Sequence, residues 1–174
     1  MARTSGLRTE ILTTITLLMG AALLLGGVLM LRLTEQSLLE QKTSQLRLTT
    51  TLIAQSLAGK PLVAGNADAY DLNKLKQLPE ELQFNGWWLY DRDLSLLASF
   101  SSDGVSSFTP SRRQQVRLSG QPFEEIEFPS LLGIFSQTYA FAHFIQPIYH
   151  KGHFAGLLAI NYSLDDIRYH LLLS

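Results

Sequence analysis

His150 and His153 stand on either side of Lys151-Gly152, a spacing at which two imidazoles could share a metal ion across a turn. A structural zinc site needs four ligands. The chain has no cysteine and no third ligand nearby, so the pair reads as turn-flanking surface histidines. His143 alternates with Tyr139, Phe141 and Ile145, which places these four on one side of a strand. A lone imidazole on such a face is a hydrogen-bonded core or pocket residue more often than a ligand, and His170 carries no pattern. Glu124, Glu125 and Glu127 could do acid and base work, but they are neighbours in one alternating segment. Glu125 and Glu127 read as facing water, and only Glu124 shares a side with Ile126 and Phe128. No Ser or Thr occupies a nucleophile elbow. The expectation is a non-enzyme without metal or cofactor.

Binding chemistry is better supplied. Trp88 and Tyr90 share one face of a strand with Phe84, and Phe154, Leu158, Ile160 and Tyr162 read as one face of another. Core packing explains such faces, yet rings with hydroxyls and nitrogens left over are also how a small-molecule pocket is built. The candidate ligand-binding residues are Trp88, Tyr90, Tyr139, Phe141 and His143. Arg112, Arg113 and Arg117 could clamp a carboxylate from a helix, against the plainer reading of a solvated helix face.

The elements that hold these residues begin with a run of twenty-one uncharged positions, Ile11 to Leu31. As a helix it would be about 31 Å long, the thickness of a bilayer core. Its eleven Leu, Ile and Val residues favour insertion. Arg3, Arg8 and Gly26-Gly27 also suit a signal peptide. However, the run exceeds an ordinary signal core and no small-x-small site follows Leu31, so an uncleaved anchor is expected. Arg3 and Arg8 against Arg32, Lys42 and Arg47 barely decide orientation. Ten residues before the span cannot fold, whereas the remainder can. The reading is a cytoplasmic tail over 1–10, a transmembrane helix over 11–32 and a periplasmic domain, single-pass in a bacterial inner membrane. With 14 basic and 15 acidic residues scattered along the chain, no basic face offers itself to nucleic acid.

Residues 33–60 should continue outward as a stalk helix, since no Gly or Pro interrupts them before Gly59-Lys60-Pro61. Leu39, Leu46 and Ile53 repeat every seven residues, with Thr43, Thr50 and Leu57 as companions. That stripe could pair two copies in a homodimer or lie on the chain's own domain. A short helix is expected over 68–78. A strand over 84–90, a turn at Asp91-Arg92-Asp93 and a partner strand over 94–100 then form a hairpin. A loop over 101–109 precedes a helix from Pro110 to Leu118, stopped by Gly120. Strands follow over 123–128, 134–148 and 153–162, the last two joined by a tight turn at Gly152. Ser163-Leu164-Asp165-Asp166 opens an exit helix over 164–174. The fold class is therefore α+β, an antiparallel sheet with flanking helices.

This order resembles the extracytoplasmic PAS-like or Cache sensor domains of membrane-bound bacterial histidine kinases and chemoreceptors. The residues that carry the resemblance are Trp88-Leu89-Tyr90-Asp91-Arg92-Asp93-Leu94-Ser95-Leu96-Leu97-Ala98-Ser99, similar to that family's strand, acidic turn and strand. Ile145-Gln146-Pro147-Ile148, Gly152, Gly156-Leu157-Leu158-Ala159-Ile160 and Ser163-Leu164-Asp165-Asp166-Ile167 resemble its closing pattern. The resemblance implies a sensor domain over 61–163 that binds a small molecule and passes the event to a two-component output. In that family a second membrane helix, a HAMP linker and a kinase or methyl-accepting module normally follow. The chain reads as the input half of such a receptor, with the bilayer, a small-molecule ligand and a second copy as its partners. The alternative is a bitopic envelope scaffold or binding protein without signalling output.

Overall fold

The computed structural model describes residues 3–59, 62, 84–101, 108–127 and 140–165, with the side chains of 3–8 and of Phe84 left out. The helix expected over 68–78, Tyr139, and the exit helix beyond Asp165 lie outside these residues. Two compact units divide the chain, Met1–Glu40 and Gln41–Ser174.

One helix, α1, runs over Arg3–Leu57. In the first unit its leucines are open: Leu23, Leu24 and Leu25 are 71%, 74% and 72% exposed, an arrangement suited to lipid rather than water. Hydroxyl groups in this stretch are satisfied within the helix. Thr13, Thr14 and Thr16 each donate to the carbonyl four residues earlier, at 2.7 to 2.9 Å, so no side-chain donor among these three is left bare. This helix is long and apolar enough to cross a membrane.

In the second unit five strands form one antiparallel sheet: β1 (Phe84–Asp91), β2 (Leu96–Ser101), β3 (Phe123–Glu127), β4 (Phe141–His150) and β5 (His153–Ser163), in the order β2-β1-β5-β4-β3. The last of these five strands thus sits at the centre, between β1 and β4. Helix α2 (Pro110–Ser119) lies between β2 and β3 in sequence. The expected fold class is the observed one.

Local chemistry explains the corners. Asp91 Oδ1 accepts from the backbone N–H groups of Asp93 and Ser95 at 2.9 and 2.8 Å, which closes the β1–β2 turn and holds Leu94 at φ 65°. Lys151 and Gly152 have φ of 51° and 81°, the pair of left-handed residues that a two-residue hairpin turn of matching twist requires. Pro110 opens α2 and Gly120, at φ 67°, closes it by donating its N–H to the Val116 carbonyl at 2.9 Å.

The two sheet faces bury different things. On one, Leu46, Thr50, Ile53, Ala54 and Leu57 of α1 are buried together with Trp87, Leu89, Phe144, Leu158, Ile160 and Tyr162 of the strands. Tyr162 shares a 2.8 Å hydrogen bond with Thr50, whose own proton goes to the Leu46 carbonyl, so the phenol is the donor. From Leu46 to Leu57 the seven-residue stripe is therefore buried within the second unit. Arg47 donates to Glu124 from the same helix, at 2.6 Å at its closest.

The opposite face carries Trp88, Tyr90, Ile145, Leu157 and Ala159 together with Phe108, just before α2, and Val116 of α2. Phe154 packs here rather than with Leu158, Ile160 and Tyr162, contrary to the strand periodicity. The register shifts between Ile148/Tyr149, where Ile148 faces Gly156 but Tyr149 faces Phe154. That leaves Ala155 as an extra residue, and such a bulge reverses which side the next side chain takes.

Candidate functional site

Four of the five residues expected to line a site share this second face: Trp88 and Tyr90 on β1, Phe141 and His143 on β4. Trp88, Tyr90 and His143 are buried and Phe141 is half-buried. Phe108 ties them together. Its ring meets Trp88 edge-on at 5.3 Å and His143 edge-on at 5.6 Å, while Phe141 lies 6.1 Å from the imidazole at a tilt.

Polar groups from three further elements join the aromatic floor. Arg112 of α2 grips Glu125 of β3 as a fork, with Nη2 donating to Oε1 at 2.8 Å and Nη1 at 2.6 Å from Oε2. Arg112 also lies 5.4 Å over the Phe123 ring. Arg113 places its guanidinium 4.5 Å over the Tyr90 ring. Asn161 of β5 is the cross-strand partner of His143, and Glu125 faces His143 from the other side.

Two readings of these charges are corrected. Glu125 does not simply face water. It stands on the His143 side of the sheet, half-buried in its fork with Arg112, and Glu124 is the one directed to α1. Arg112 and Arg113 are half-buried against sheet side chains, and only Arg117 fits the solvated helix face. His150 is also more than a surface residue, since its Nδ1–H donates to the Ala58 carbonyl past the end of α1 at 2.7 Å.

Four buried polar atoms in this region have no hydrogen-bond partner among the described residues: His143 Nδ1, Asn161 Oδ1, Arg113 Nε and Glu125 Oε2, the last of which is held by its ion pair with Arg112. An unpaired buried donor or acceptor costs about 1–3 kcal/mol, so His143, Asn161 and Arg113 are groups that a further polar partner would stabilise. Burial holds the His143 imidazole below its ordinary pKa, opposed by the carboxylates of Glu127 and Glu125 and assisted by Arg112. The ring is thus neutral near pH 7, with one nitrogen able to accept. The face as a whole offers a guanidinium donor on α2, a neutral His–Asn pair on the central strands, and aromatic walls.

Sequence reasoning missed Phe108, Arg113 as an inward group, and Asn161. A period of two along β5 carries the signal for Asn161, because Leu158, Ile160 and Tyr162 turn one way and the residues between them the other. Phe108 sits in a Ser-, Asp- and Gly-rich stretch without periodicity, which gives no cue to its direction.

No family model and no curated protein matches the chain. Solved structures do, at low identity. The ligand-binding domain of the Pseudomonas aeruginosa PAO1 amino acid chemoreceptor PctC, in complex with GABA, is similar at TM-score 0.56 and 14% identity, over 78% of this chain and 58% of that one. The sensory domain of the Campylobacter jejuni chemoreceptor Tlp3 gives 0.55 and 15%, over 79% and 59%. The Tlp3 ligand-binding domain in complex with L-norvaline gives 0.50 and 14%, over 81% and 58%. The chain spans less than three-fifths of the length of each, and what it shares with them is the fold.

Proposed function

We propose that this chain is the extracytoplasmic, membrane-anchored input domain of a bacterial receptor that senses a small polar molecule. The buried atoms at His143, Asn161 and Arg113 that have no hydrogen-bond partner among the described residues, gathered at an aromatic sheet face, are the observation that carries the reading. The apolar run of α1 supplies the anchor, and the sheet and helices share their fold with chemoreceptor sensory domains. Those neighbours were solved with GABA and L-norvaline, both zwitterions. A ligand of that class suits the face here. Arg113 would take the carboxylate, while Asn161 Oδ1 and the neutral His143 would accept from the ammonium group, with Glu127 nearby.

Transmission needs a second arrangement of the domain. The ligand face and the α1 face belong to the same β5, and Tyr162 of that strand is bonded to Thr50 of α1. A ligand that binds one strand arrangement more tightly shifts α1 by that difference in affinity, typically 1–3 kcal/mol. Two-component signalling through a histidine kinase is the output we assign, as the sequence resemblance implies. Catalysis belongs to that output module and this chain binds and transmits.

The test is thermal unfolding of the full chain in detergent against a panel of amino acids, other zwitterions, carboxylates and amines. A ligand present at about one hundred times its Kd adds about 2.7 kcal/mol and raises the midpoint. Arg113→Ala should weaken the responding ligand roughly ten- to a hundredfold, the loss of one charge-assisted hydrogen bond. A panel that leaves the midpoint unmoved, or a response that Arg113→Ala does not weaken, removes the reading.

A further inference from the structure

The β4–β5 hairpin carries two histidines that the polar face does not use. His150 and His153 are cross-strand partners on either side of the Lys151-Gly152 turn, whose two left-handed residues fix the register. Directly opposed residues of an antiparallel pair project to the same side of the sheet, with Cβ atoms about 5 Å apart. The next pair, Tyr149 and Phe154, turns to the other side, where the two rings meet edge-on at 6.1 Å and Tyr149 donates to the Gly120 carbonyl. The histidine pair therefore belongs to the α1 side of the sheet, apart from Trp88, Tyr90 and His143. One of its rings is already set. His150 is half-buried, and its Nδ1 lies 2.7 Å from the Ala58 carbonyl oxygen. A carbonyl only accepts, so Nδ1 carries the proton and the lone pair of the neutral ring is at Nε2. A backbone carbonyl behind one imidazole nitrogen is the arrangement that orients metal-bound histidines and raises their basicity. His153 is exposed and enters no hydrogen bond among the described residues. Spacing alone reads the pair as surface residues, and the bond to Ala58 is what the fold adds.

We infer that His150 and His153 form a two-histidine site for a divalent transition-metal ion, with Cu²⁺ preferred over Ni²⁺ and Zn²⁺. Two rings whose Cβ atoms are about 5 Å apart can converge on one ion about 2 Å from each nitrogen. Among the described residues no group of three His, Cys, Asp or Glu is placed to hold a metal, so the remaining positions go to water. The site is then open and exchangeable rather than structural. With two imidazoles and water, affinity follows the general order of the divalent ions, which puts Cu²⁺ first. A tetragonal Cu²⁺ takes the two nitrogens at neighbouring corners. The chain has no cysteine, so no thiolate competes for the ion. Lys151 in the turn is exposed, where solvent and salt screen its charge. A bound ion ties β4 to β5 at the hairpin tip and, through the His150 ring, to the Ala58 carbonyl just past α1. It is an input chemically distinct from the polar molecule of the opposite face.

The probe is Cu²⁺ alone, titrated into the full chain in detergent and in a buffer that does not bind the ion. Binding is read by calorimetry and by electron paramagnetic resonance. One ion per chain should bind, with the spectrum of a tetragonal Cu²⁺ coupled to two imidazole nitrogens. His153→Gln should weaken binding at least about tenfold, the loss that even an outer-shell partner brings, and should leave a single coupled imidazole in the spectrum. Because His153 is exposed, this variant should keep the metal-free unfolding midpoint of the parent, so its loss of binding is a loss of the ligand. His150→Gln, which also gives up the bond to Ala58, should weaken binding by at least as much. His170→Gln should leave affinity and spectrum unchanged. The absence of stoichiometric binding, a spectrum without coordinated imidazole, binding that survives His153→Gln or His150→Gln, or an equal loss in His170→Gln each overturns the inference.

Discussion

At the scale of single residues, the chemistry concentrates on His143. Its ring is 5% exposed, flanked by Phe108 and Phe141, with the carboxylates of Glu125 and Glu127 and the Arg112 guanidinium as the charged groups acting on it. Burial lowers its pKa in the folded state, so below the ordinary value near 6.5 the unfolded chain binds a proton that the folded chain refuses. Stability is therefore unaffected by this group above that value and falls as the pH drops below it. The loss continues until the folded-state pKa is reached, at a slope of at most about 1.4 kcal/mol per pH unit. Denaturant unfolding of the full chain between pH 7.5 and 5 should show this slope, and His143→Gln should flatten it. An unchanged slope in the variant would show that the imidazole is not held neutral. Gly156 illustrates the opposite kind of residue. A Cβ there would run into the Tyr90 backbone carbonyl and the Leu62 side chain, so its role is close strand packing rather than recognition.

Among the elements, α1 and β5 carry the connection that the sensing model needs. The Thr50–Tyr162 bond is buried between them, and burial pushes the Tyr162 phenol well above its ordinary range, partly opposed by Thr50, so the group remains a donor at any working pH. Thr50→Val removes that buried bond and should cost about 0.5–1.5 kcal/mol in denaturant unfolding. Tyr162→Phe alone should cost less, because Thr50 keeps its bond to the Leu46 carbonyl. The double variant should cost less than the sum of the two single variants, since the shared bond is lost only once. Strict additivity in this cycle would show that the two elements are not coupled through the bond. The pattern of α1 itself was open to reading, but its consequence was not. The sequence shows a row of Leu46, Thr50, Ile53 and Leu57, whereas only the packed sheet shows that this row is occupied within the chain.

For the whole molecule, the central expectation is an anchor in a bilayer. The first unit exposes Leu12, Leu17, Leu23, Leu24, Leu25 and Met30 at 70% to 74%. Each buried side chain of this size is worth about 1.5–3 kcal/mol, so a water-exposed state of the run is strongly disfavoured. The full chain should stay with membranes through alkaline carbonate extraction and leave them only with detergent. Release by carbonate alone would point to a peripheral attachment and would remove the anchor from the model. The sensing proposal would then have to stand on the sheet face alone, which the ligand panel tests independently.

Taken alone, the amino-acid order determined the features that depend on neighbours within a few residues. Among these are the apolar run, the turn closed by Asp91, the Lys151-Gly152 hairpin, and the Pro110 and Gly120 ends of α2. It also placed Trp88 with Tyr90, and Phe141 with His143, on single strand faces, because alternation is a local property. Tertiary structure alone decided that these two pairs share one face, that Glu125 meets Arg112 there, and that β5 lies between β1 and β4. The reason is physical: strand order and face assignment follow from contacts between residues far apart in the chain. A single extra residue such as Ala155 then reverses the side that Phe154 takes, which no local pattern records.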